Sequence, residues 1–427
     1  MKTNGTTRGR EGGTMLRVQI VNGVAELEAL RSAWEELLER SSMNEPTLAP
    51  DWLLGWWRVF GPLDGRALRA VLLWDGPRLA GLAPFCERPR RHRLGIPLRA
   101  LELVCSGEDE ADEICSDYLG VIAERGAEAA VARGVADALS TGELGGWDEL
   151  SMPAMRGDHL MPVLLARALE ERGAEARVEV TGASPYIPLP ATWDAYLDAL
   201  PSSRRYMVRR SIRDMEKWAK GTLRLERAER REDLARGMEI LVRLHGARWS
   251  ADGQSGVFAS PRFRAFHEEV MPALLDRGAL ELWWLSAHGE PVAAVYNVVW
   301  QDKVYFYQGG RKPDLPPNVR AGIVMHAYAI RESIAAGRKE YDFLAGTSRY
   351  KMELSLASRP LVTLRATRPS LADAARRVAD LAIHQARVLR RALGSHLPGL
   401  TEAPPAGEAP PGAGDEDAQK QRRVAIA

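Results

Sequence analysis

The pattern of apolar and polar residues divides the chain into short strands and helices that recur in the same order. Residues 66–85, RALRAVLLWDGPRLAGLAPF, contain an apolar strand, a turn at Gly76 and a second apolar strand. Residues 279–298, ALELWWLSAHGEPVAAVYNV, repeat this pattern around Gly289. Two short apolar runs joined by a glycine-containing turn are typical of a β-hairpin. The sequence therefore predicts the same hairpin twice.

The segments around the two hairpins also correspond. Helices are predicted before the first hairpin in VAELEALRSAWEELLERS and in APDWLLGWWRVF, where Pro50 suits a first helical turn. Helices are predicted before the second in REDLARGMEILVRLHGARW and in SPRFRAFHEEVMPALL, with Ser260 as N-cap. After each hairpin come another apolar stretch, a helix and a short strand, at residues 147–150 and 341–344. We interpret this as an internal repeat, with chance similarity of two α/β segments as the alternative.

A repeat in a chain of 427 residues predicts two domains. The boundary is expected near Ser184-Pro185, where PYIPLP begins a strand and Thr192 can cap the next helix. The predicted domains are residues 16–184 and 185–368.

The two ends of the chain differ from these domains. Residues 369–397 contain SLADAARRVADLAIHQARVLRRAL, a basic amphipathic helix that we expect to pack on a domain; a peripheral membrane contact is the alternative. Residues 1–15 are polar and Gly-rich, residues 398–427 are Pro/Ala-rich, and both compositions predict disorder.

Composition and charge narrow the function classes. The net charge of +1 gives no reason to expect nucleic acid or an anionic membrane as partner. The three cysteines lack the spacing of a disulfide framework or a metal site, so we expect no metal. No apolar run approaches the roughly 20 residues of a transmembrane helix, and no signal peptide is recognisable. We expect a cytoplasmic protein.

The candidate chemistry lies in the second half. The motifs GxxxxGK[ST], GxGxxG, HExxH, GxSxG and CxxC are missing. In VYFYQGGRKPDLPPNVRAGIVMHAYAIRESI, a strand runs through a Gly/Pro-rich loop into a helix that starts near residues 318–322. The small residues Ala321 and Gly322 permit close approach of a ligand, free N–H groups at the helix start attract anions, and Arg320 adds a charge. This pattern predicts a pyrophosphate seat, although small residues are also common at ordinary helix starts.

Other residues have two interpretations each. Arg204, Arg205 and Arg209 could bind an acidic substrate or form a solvated helix face with Arg213. Asp117-Tyr118 could line a cleft between the halves or end a strand. His245 is expected to be a packed or hydrogen-bonded residue, with a general base as the alternative, and His326 is expected to face the core.

The order of elements resembles the GNAT acyltransferase fold in tandem, and the details resemble the CelD-like branch, a relative of the Fem peptidoglycan aminoacyltransferases. Stretches carrying the resemblance in the first half are PTLAPDWLLGWWRVFG, LAGLAPFCERP, GIPLRALELV and SDYLGVI. In the second half they are SPYIPLP, RRYMVRRSIRDMEK, LHGARWSADGQSGVF, FHEEVMPALLDRGALELWWL, GEPVAAVYNVVW, YFYQGG and YDFLAGTSRYKMELS. Together they cover residues 17–365.

The resemblance implies an α/β fold of tandem GNAT-like domains, each a mixed, mostly antiparallel sheet flanked by helices. It implies that the donor substrate is an acyl-CoA, either acetyl-CoA or one with a longer acyl group, and that the second domain binds it. The acceptor would be a small-molecule or glycan-linked amine in polysaccharide or cell-envelope biosynthesis, with a peripheral contact to an envelope-assembly complex. The donor's pyrophosphate would bind at the strand-to-helix turn, at Asn318, Val319, Arg320, Ala321 and Gly322.

The resemblance also suggests which residues act. Asp342, Tyr307 and Gln308 would be catalytic, orienting the amine or relaying its proton. Expected substrate-binding residues are Arg204, Arg205, Arg209, Asp117, Tyr118, Trp249, Tyr350 and Lys351. Alternatively, Asp342 bonds the backbone that follows it while Tyr350 and Lys351 pack the domain edge.

Two other functions remain open. An aminoacyl-tRNA-dependent Fem-like transferase is disfavoured by the near-neutral charge. A catalytically silent binding module of an exopolysaccharide assembly is suggested because this chain has Val319-Arg320-Ala321-Gly322 where relatives usually have a Pro-Gly pair, of which only Gly322 is retained.

Overall fold

The structure, a computed structural model, describes residues 16–92 and 94–394. The strands are β1 (Arg17–Val21), β2 (Ala67–Asp75), β3 (Arg78–Arg91), β4 (Pro97–Leu103), β5 (Ile122–Ala123), β6 (Glu149–Arg156), β7 (Glu175–Pro188), β8 (Arg224–Arg227), β9 (Leu280–Ala287), β10 (Glu290–Trp300), β11 (Lys303–Arg311), β12 (Glu340–Asp342) and β13 (Ala357–Thr367). The α-helices are α1 (Val24–Ala29), α2 (Arg31–Arg40), α3 (Pro50–Phe60), α4 (Glu128–Thr141), α5 (Met161–Glu170), α6 (Trp193–Ala199), α7 (Ser202–Ala219), α8 (Arg231–Ala251), α9 (Pro261–Asp276), α10 (Ala321–Ala335), α11 (Arg349–Leu354) and α12 (Leu371–Gly394). The segments expected to be disordered, residues 1–15 and 398–427, lie outside the described residues. Residues 395–397, the end of the segment predicted to hold the C-terminal helix, also lie outside them. The described helices include none whose length and apolar content would let it span a bilayer.

Both predicted hairpins are present, as β2–β3 and β9–β10. Each hairpin is extended by a third antiparallel strand, β4 or β11, and that strand pairs in parallel with a fourth, β6 or β12. A helix, α4 or α10, precedes the fourth strand in each half. The internal repeat predicted from the sequence is therefore a repeat of structure, and the fold is the mixed, mostly antiparallel α/β arrangement that was expected.

The two halves share one continuous sheet. Its strand order is β1-β2-β3-β4-β6-β13-β7-β12-β11-β10-β9-β8, with β5 beside β3. The strand expected to begin at Pro185 begins ten residues earlier, because β7 runs without interruption from Glu175 to Pro188. β13 returns from the end of the second half and lies between β6 and β7. The repeat units therefore meet inside the sheet rather than at a linker.

Most helix boundaries follow the sequence signals. Ser260 caps α9 by accepting a hydrogen bond from the Phe263 N–H at 3.0 Å, and Thr192 caps α6 in the same way. The single helix predicted for VAELEALRSAWEELLERS is wrong. Leu30 adopts φ −92° and ψ 8°, outside the helical region, and separates α1 from α2.

The two faces of the second half have different neighbours. Tyr305 and Tyr307 of β11 belong to a core that includes α8, α9 and much of the first half. Phe306, between them, packs in a second core with α10 and α7. Side chains of a strand alternate between faces, so β11 links the first half to the helix whose start was predicted to bind phosphate.

Candidate functional site

The candidate site lies where two parallel strands separate. β11 and β12 pair only from Lys303 to Tyr305 and from Glu340 to Asp342. β11 then continues to Arg311 without β12 beside it. A cavity of about 550 Å³ lies along this free part of β11. It is lined by Arg248, Ala294, Val295, residues 306–313, residues 315–317, Val319, Arg320, Ala321, Gly322, Ile323, Met325, His326, Ser348, Arg349, Tyr350 and Glu353.

A β-bulge interrupts β11 beside the cavity. Asn297 of β10 pairs with Phe306, whereas the preceding Tyr296 pairs with Gln308, so Tyr307 is an extra residue. A bulged residue leaves the hydrogen-bond ladder. A bulge bends its strand, so the direction of β11 changes where it lines the cavity.

The start of α10 forms another side of the cavity. Its N-cap residue, Arg320, has φ −98° and ψ 68°, and its side chain makes no capping hydrogen bond. The first N–H groups of a helix lack partners within the helix and carry partial positive charge. Val319, Arg320, Ala321 and Gly322 line the cavity, while Asn318 is not among its lining residues.

Positive charge predominates around the cavity. Five of its lining side chains are cationic and one is acidic, Glu353; the cations are Arg248, Arg311, Lys312, Arg320 and Arg349. Glu353 lies 2.7 Å from Arg349 and 3.6 Å from Arg320. The cavity therefore suits an anionic ligand, with which Glu353 would compete for two arginines.

Aromatic rings form an inner wall. His326 stacks on Tyr350, with 5.2 Å between ring centroids, and meets the Phe306 ring edge-on at 4.5 Å. Nδ1 of His326 lies 3.3 Å from the Tyr341 hydroxyl. Burial lowers the pKa of His326 to about 3, so the imidazole is neutral near pH 7 and this wall is uncharged.

Asp342 lies at the junction of the two halves. It is fully buried, accepts hydrogen bonds from the Tyr118 hydroxyl and the Leu344 N–H at 2.7 Å each, and has Arg359 at 3.7 Å. Burial raises the pKa of its carboxyl to about 6, against the opposing effect of Arg359. The expected bond to the following backbone is present, and the bond to Tyr118 joins the halves in addition.

The turn after β12 is held from both halves. The Ala345 N–H donates to Asp117 Oδ2 at 2.7 Å, and buried Lys351 donates to the carbonyls of Phe343 and Ala345. Leu344, between them, has φ 57°, a left-handed conformation that is costly for leucine. Burial lowers the pKa of Lys351 to about 7, although Asp117 and Asp342 oppose the shift. These contacts fix a strained turn next to the separating strands.

The predicted site residues fall into two groups. Tyr307, Gln308, Tyr350 and the turn at 319–322 line the cavity. Asp342, Lys351, Asp117 and Tyr118 meet at the junction of the halves instead, and they are not among the lining residues. The Tyr307 hydroxyl donates to the Ile114 carbonyl at 2.5 Å and has His267 at 3.1 Å.

The remaining predicted residues lie elsewhere. Arg204, Arg205 and Arg209 are on α7 and do not line the cavity; Arg205 pairs with Asp198. Trp249 is buried, donates to His245 and supports the Arg248 guanidinium, which lies 4.8 Å from its ring centroid.

Sequence reasoning missed a buried ionic group at the junction. Glu45 accepts from Arg156 at 2.7 Å and from the Tyr305 hydroxyl at 2.5 Å. These residues are separated by more than 100 positions along the chain. No local pattern signals such a contact, because Arg156 and Tyr305 lie on different strands of the sheet and Glu45 lies in the segment between α2 and α3.

Part of the second half matches a known protein family. Residues 202–352 match the family model described as an acetyltransferase (GNAT) domain. Most of the second half therefore matches a GNAT-type acetyltransferase domain. The matched range contains the hairpin β9–β10, strand β11, the start of α10 and most of α11.

Solved structures resemble most of the chain. FemX has 12% sequence identity and a TM-score of 0.52, over 77% of this chain and 95% of FemX. The C-terminal domain of a putative lysylphosphatidylglycerol synthetase from Agrobacterium fabrum has 11% identity and a TM-score of 0.45, over 85% and 97%. A tandem GNAT protein from the clavulanic acid biosynthesis pathway has 12% identity and a TM-score of 0.43, over 83% and 100%. No curated protein sequence matches the chain. At such identities the likeness to FemX shows the fold alone.

Proposed function

We propose that the protein is an N-acyltransferase that moves an acyl group from acyl-CoA to an amine acceptor. The observation that carries the proposal is the cavity between β11 and the start of α10, within the acetyltransferase domain. Its shape and charge suit a donor with an anionic pyrophosphate and an extended arm.

The residues present fit such a donor. The helix start at Val319–Gly322 has no side-chain cap and offers N–H groups to a phosphate. Arg320 and Arg349 lie beside it, held by Glu353, and Arg311 lines the same cavity. Gly322 leaves open space, because an added Cβ would meet only the Arg311 side chain, at 3.4 Å. The thioester would extend along β11 towards the bulge.

The transfer step needs few protein groups. The acceptor nitrogen attacks the thioester carbonyl carbon, the carbon–sulfur bond breaks, and the amine proton leaves through a base or water to the departing thiolate. Backbone N–H groups of β11 near the Tyr307 bulge would stabilise the oxyanion. Gln308 is the predicted catalytic residue best suited to orient the amine, since it lines the cavity and carries no charge.

Asp342 would act indirectly. Its hydrogen bonds to Tyr118 and Leu344 fix the end of β12, and so the width of the opening between the strands. The acceptor class, an amine of a polysaccharide or cell-envelope precursor, rests on the CelD-like resemblance, and the acceptor would enter between the halves. Cytoplasmic location is proposed on the same basis.

Isothermal titration with acetyl-CoA and with a longer acyl-CoA tests the donor. We expect micromolar binding that Gly322→Trp abolishes by filling the cavity. Glu353→Gln should tighten binding about two- to fivefold, because it removes the carboxylate that competes for Arg320 and Arg349. This gain should shrink as salt rises.

Gly23→Trp is the matched control, since Gly23 lies in open space before α1 with φ −107°. Donors that bind should then release free thiol when amine acceptors are added. Absence of binding by both acyl-CoA donors would refute the proposal and leave charged tRNA as the donor to test. Donor binding without transfer to any amine would favour the silent binding module.

A further inference from the structure

A buried imidazole lies between α8 and β11, next to the cavity. His245 of α8 is fully buried. The helix backbone at this residue packs against Gly310 of β11, where an added Cβ would collide with the His245 nitrogen. Phe258 meets the imidazole edge-on, with 5.0 Å between ring centroids. The ring is therefore held in one place beside the strand that lines the cavity.

Trp249 fixes the tautomer of this imidazole. The indole Nε1–H donates to Nε2 of His245 at 2.9 Å. An indole nitrogen can only donate, so Nε2 carries no proton. Burial, assisted by the charge of Arg248, lowers the pKa of His245 to about 3, and the ring is therefore neutral near pH 7. Its one ring proton then lies on Nδ1.

The Nδ1–H group points to Gln308 of β11. Nδ1 is buried and has no partner within hydrogen-bond geometry among the described residues, which is uncommon for a buried donor. The neighbouring Gln308 side chain opposes the lowering of the His245 pKa, as a hydrogen-bond acceptor does. Gln308 is itself only 4% exposed, and it lines the cavity. It therefore lies between the imidazole and the proposed donor site.

The bulge in β11 explains why Gln308 faces α8. Side chains normally alternate between the two faces of a strand. Tyr307, one position earlier, contacts His267 of α9 and belongs to the core that contains α8 and α9. Because Tyr307 is the extra residue of the bulge, the alternation is interrupted there and Gln308 turns to the same face.

We propose that His245 is a positioning residue: its Nδ1–H donates to the Gln308 amide oxygen and so determines which end of that amide faces the cavity. This inference rests on the proposed acyl transfer. With the oxygen held towards α8, the NH2 end donates to the thioester carbonyl oxygen as negative charge develops there. The second lone pair of the amide oxygen remains for the acceptor amine. His245 is not the general base, because Nε2 accepts from Trp249 and Nδ1 is protonated.

Transfer assays of the full chain, with release of free thiol as the readout, test the role of the tautomer. Trp249→Phe removes the N–H that fixes the tautomer but keeps an aromatic ring beneath the Arg248 guanidinium. We expect kcat to fall about fivefold or more while the donor Kd stays unchanged. Trp284→Phe is the matched control, because Trp284 is also buried but its Nε1–H has no partner among the described residues. It should keep the wild-type kcat.

Substitutions of the imidazole separate positioning from packing. Gln308→Leu and His245→Phe should each lower kcat about tenfold or more. The double variant should be no slower than Gln308→Leu, because His245 acts only through Gln308. His245→Asn places an amide N–H near the position of Nδ1 and should recover most of the loss. Two-bond proton–nitrogen NMR of the wild type should show a neutral His245 with its proton on Nδ1.

Three results would each overturn the inference and leave the proposed function intact: additive losses in the double variant, a wild-type kcat in Trp249→Phe, and a ring proton on Nε2. If the wild type neither binds acyl-CoA nor transfers its acyl group, the proposed function fails and the role of His245 fails with it. Circular dichroism and urea denaturation establish that each variant folds. Should His245→Phe not fold, Trp249→Phe and the NMR measurement decide the question.

Discussion

Asp342 is a residue whose ionisation is linked to folding. Burial raises its pKa from 3.8 to about 6. Between these values the folded state holds a proton that the unfolded state has lost, so the free energy of unfolding falls as the pH rises from about 4 to about 6. An asparagine side chain at this position cannot titrate. Compared with the wild type, Asp342→Asn should therefore gain relative stability over this range, by up to about 3 kcal/mol.

Urea denaturation at several pH values from 4 to 7 measures this difference. Asp302→Asn, at an exposed position, serves as the control and should follow the wild-type profile. A constant difference between wild type and Asp342→Asn across the range would show that Asp342 is ionised throughout. The Tyr118 and Arg359 contacts would then stabilise the carboxylate more than burial destabilises it.

Single residues also show what the sequence reveals about the site. The turn at Val319–Gly322 is local, so its small residues and following apolar helix were sufficient to place it. The bond between Tyr118 and Asp342 joins residues 224 positions apart. Both side chains were candidates for site roles, but no local pattern pairs them. Their partnership depends on where β12 ends and how the segment after β4 crosses the junction.

At the scale of elements, contact between β11 and α8 depends on Gly310. An added Cβ there would lie 2.6 Å from the Leu244 carbonyl carbon and closer still to the His245 nitrogen. Helix backbone cannot move as a side chain does. Gly310→Ala should destabilise the protein by roughly 3 kcal/mol and, by moving β11, also weaken donor binding.

Chemical denaturation and donor titration of the same variant check both effects. Gly182→Ala on β7 is the control, because its Cβ would approach no atom closer than 3.8 Å. Wild-type stability in Gly310→Ala would mean that α8 moves away from the strand at little cost.

Elements with strong local patterns were predictable, and those defined by long-range pairing were not. The hairpins around Gly76 and Gly289 have apolar strands and a turn residue within 20 positions. β13 has an ordinary strand composition, and its place between β6 and β7 is set by hydrogen bonds to both. The break at Leu30 was missed because the apolar periodicity continues through this residue, whereas the helical backbone conformation is interrupted there.

The whole molecule is held together by a strand that returns from one half to the other. β13 belongs to the second half by sequence but pairs with β6 on one side and with nearly all of β7 on the other. Glu45, Arg156 and Tyr305 add a buried ionic contact across the same junction. Unpaired strand edges are prone to aggregate, so neither half is expected to be a stable unit without β13 in place.

This predicts one cooperative unfolding transition for the intact chain. Tryptophans lie in both halves, for example Trp52 and Trp284, so fluorescence and far-ultraviolet circular dichroism should give coincident urea curves. Fragments 16–184 and 185–394, expressed separately, should aggregate or lack cooperative unfolding, because the first loses β13 and the second retains β13 without β6 and most of β7. Co-expression should restore soluble protein that binds the donor. If fragment 185–394 alone unfolds cooperatively and binds acyl-CoA, the halves are independent domains, and the shared sheet contributes little to stability.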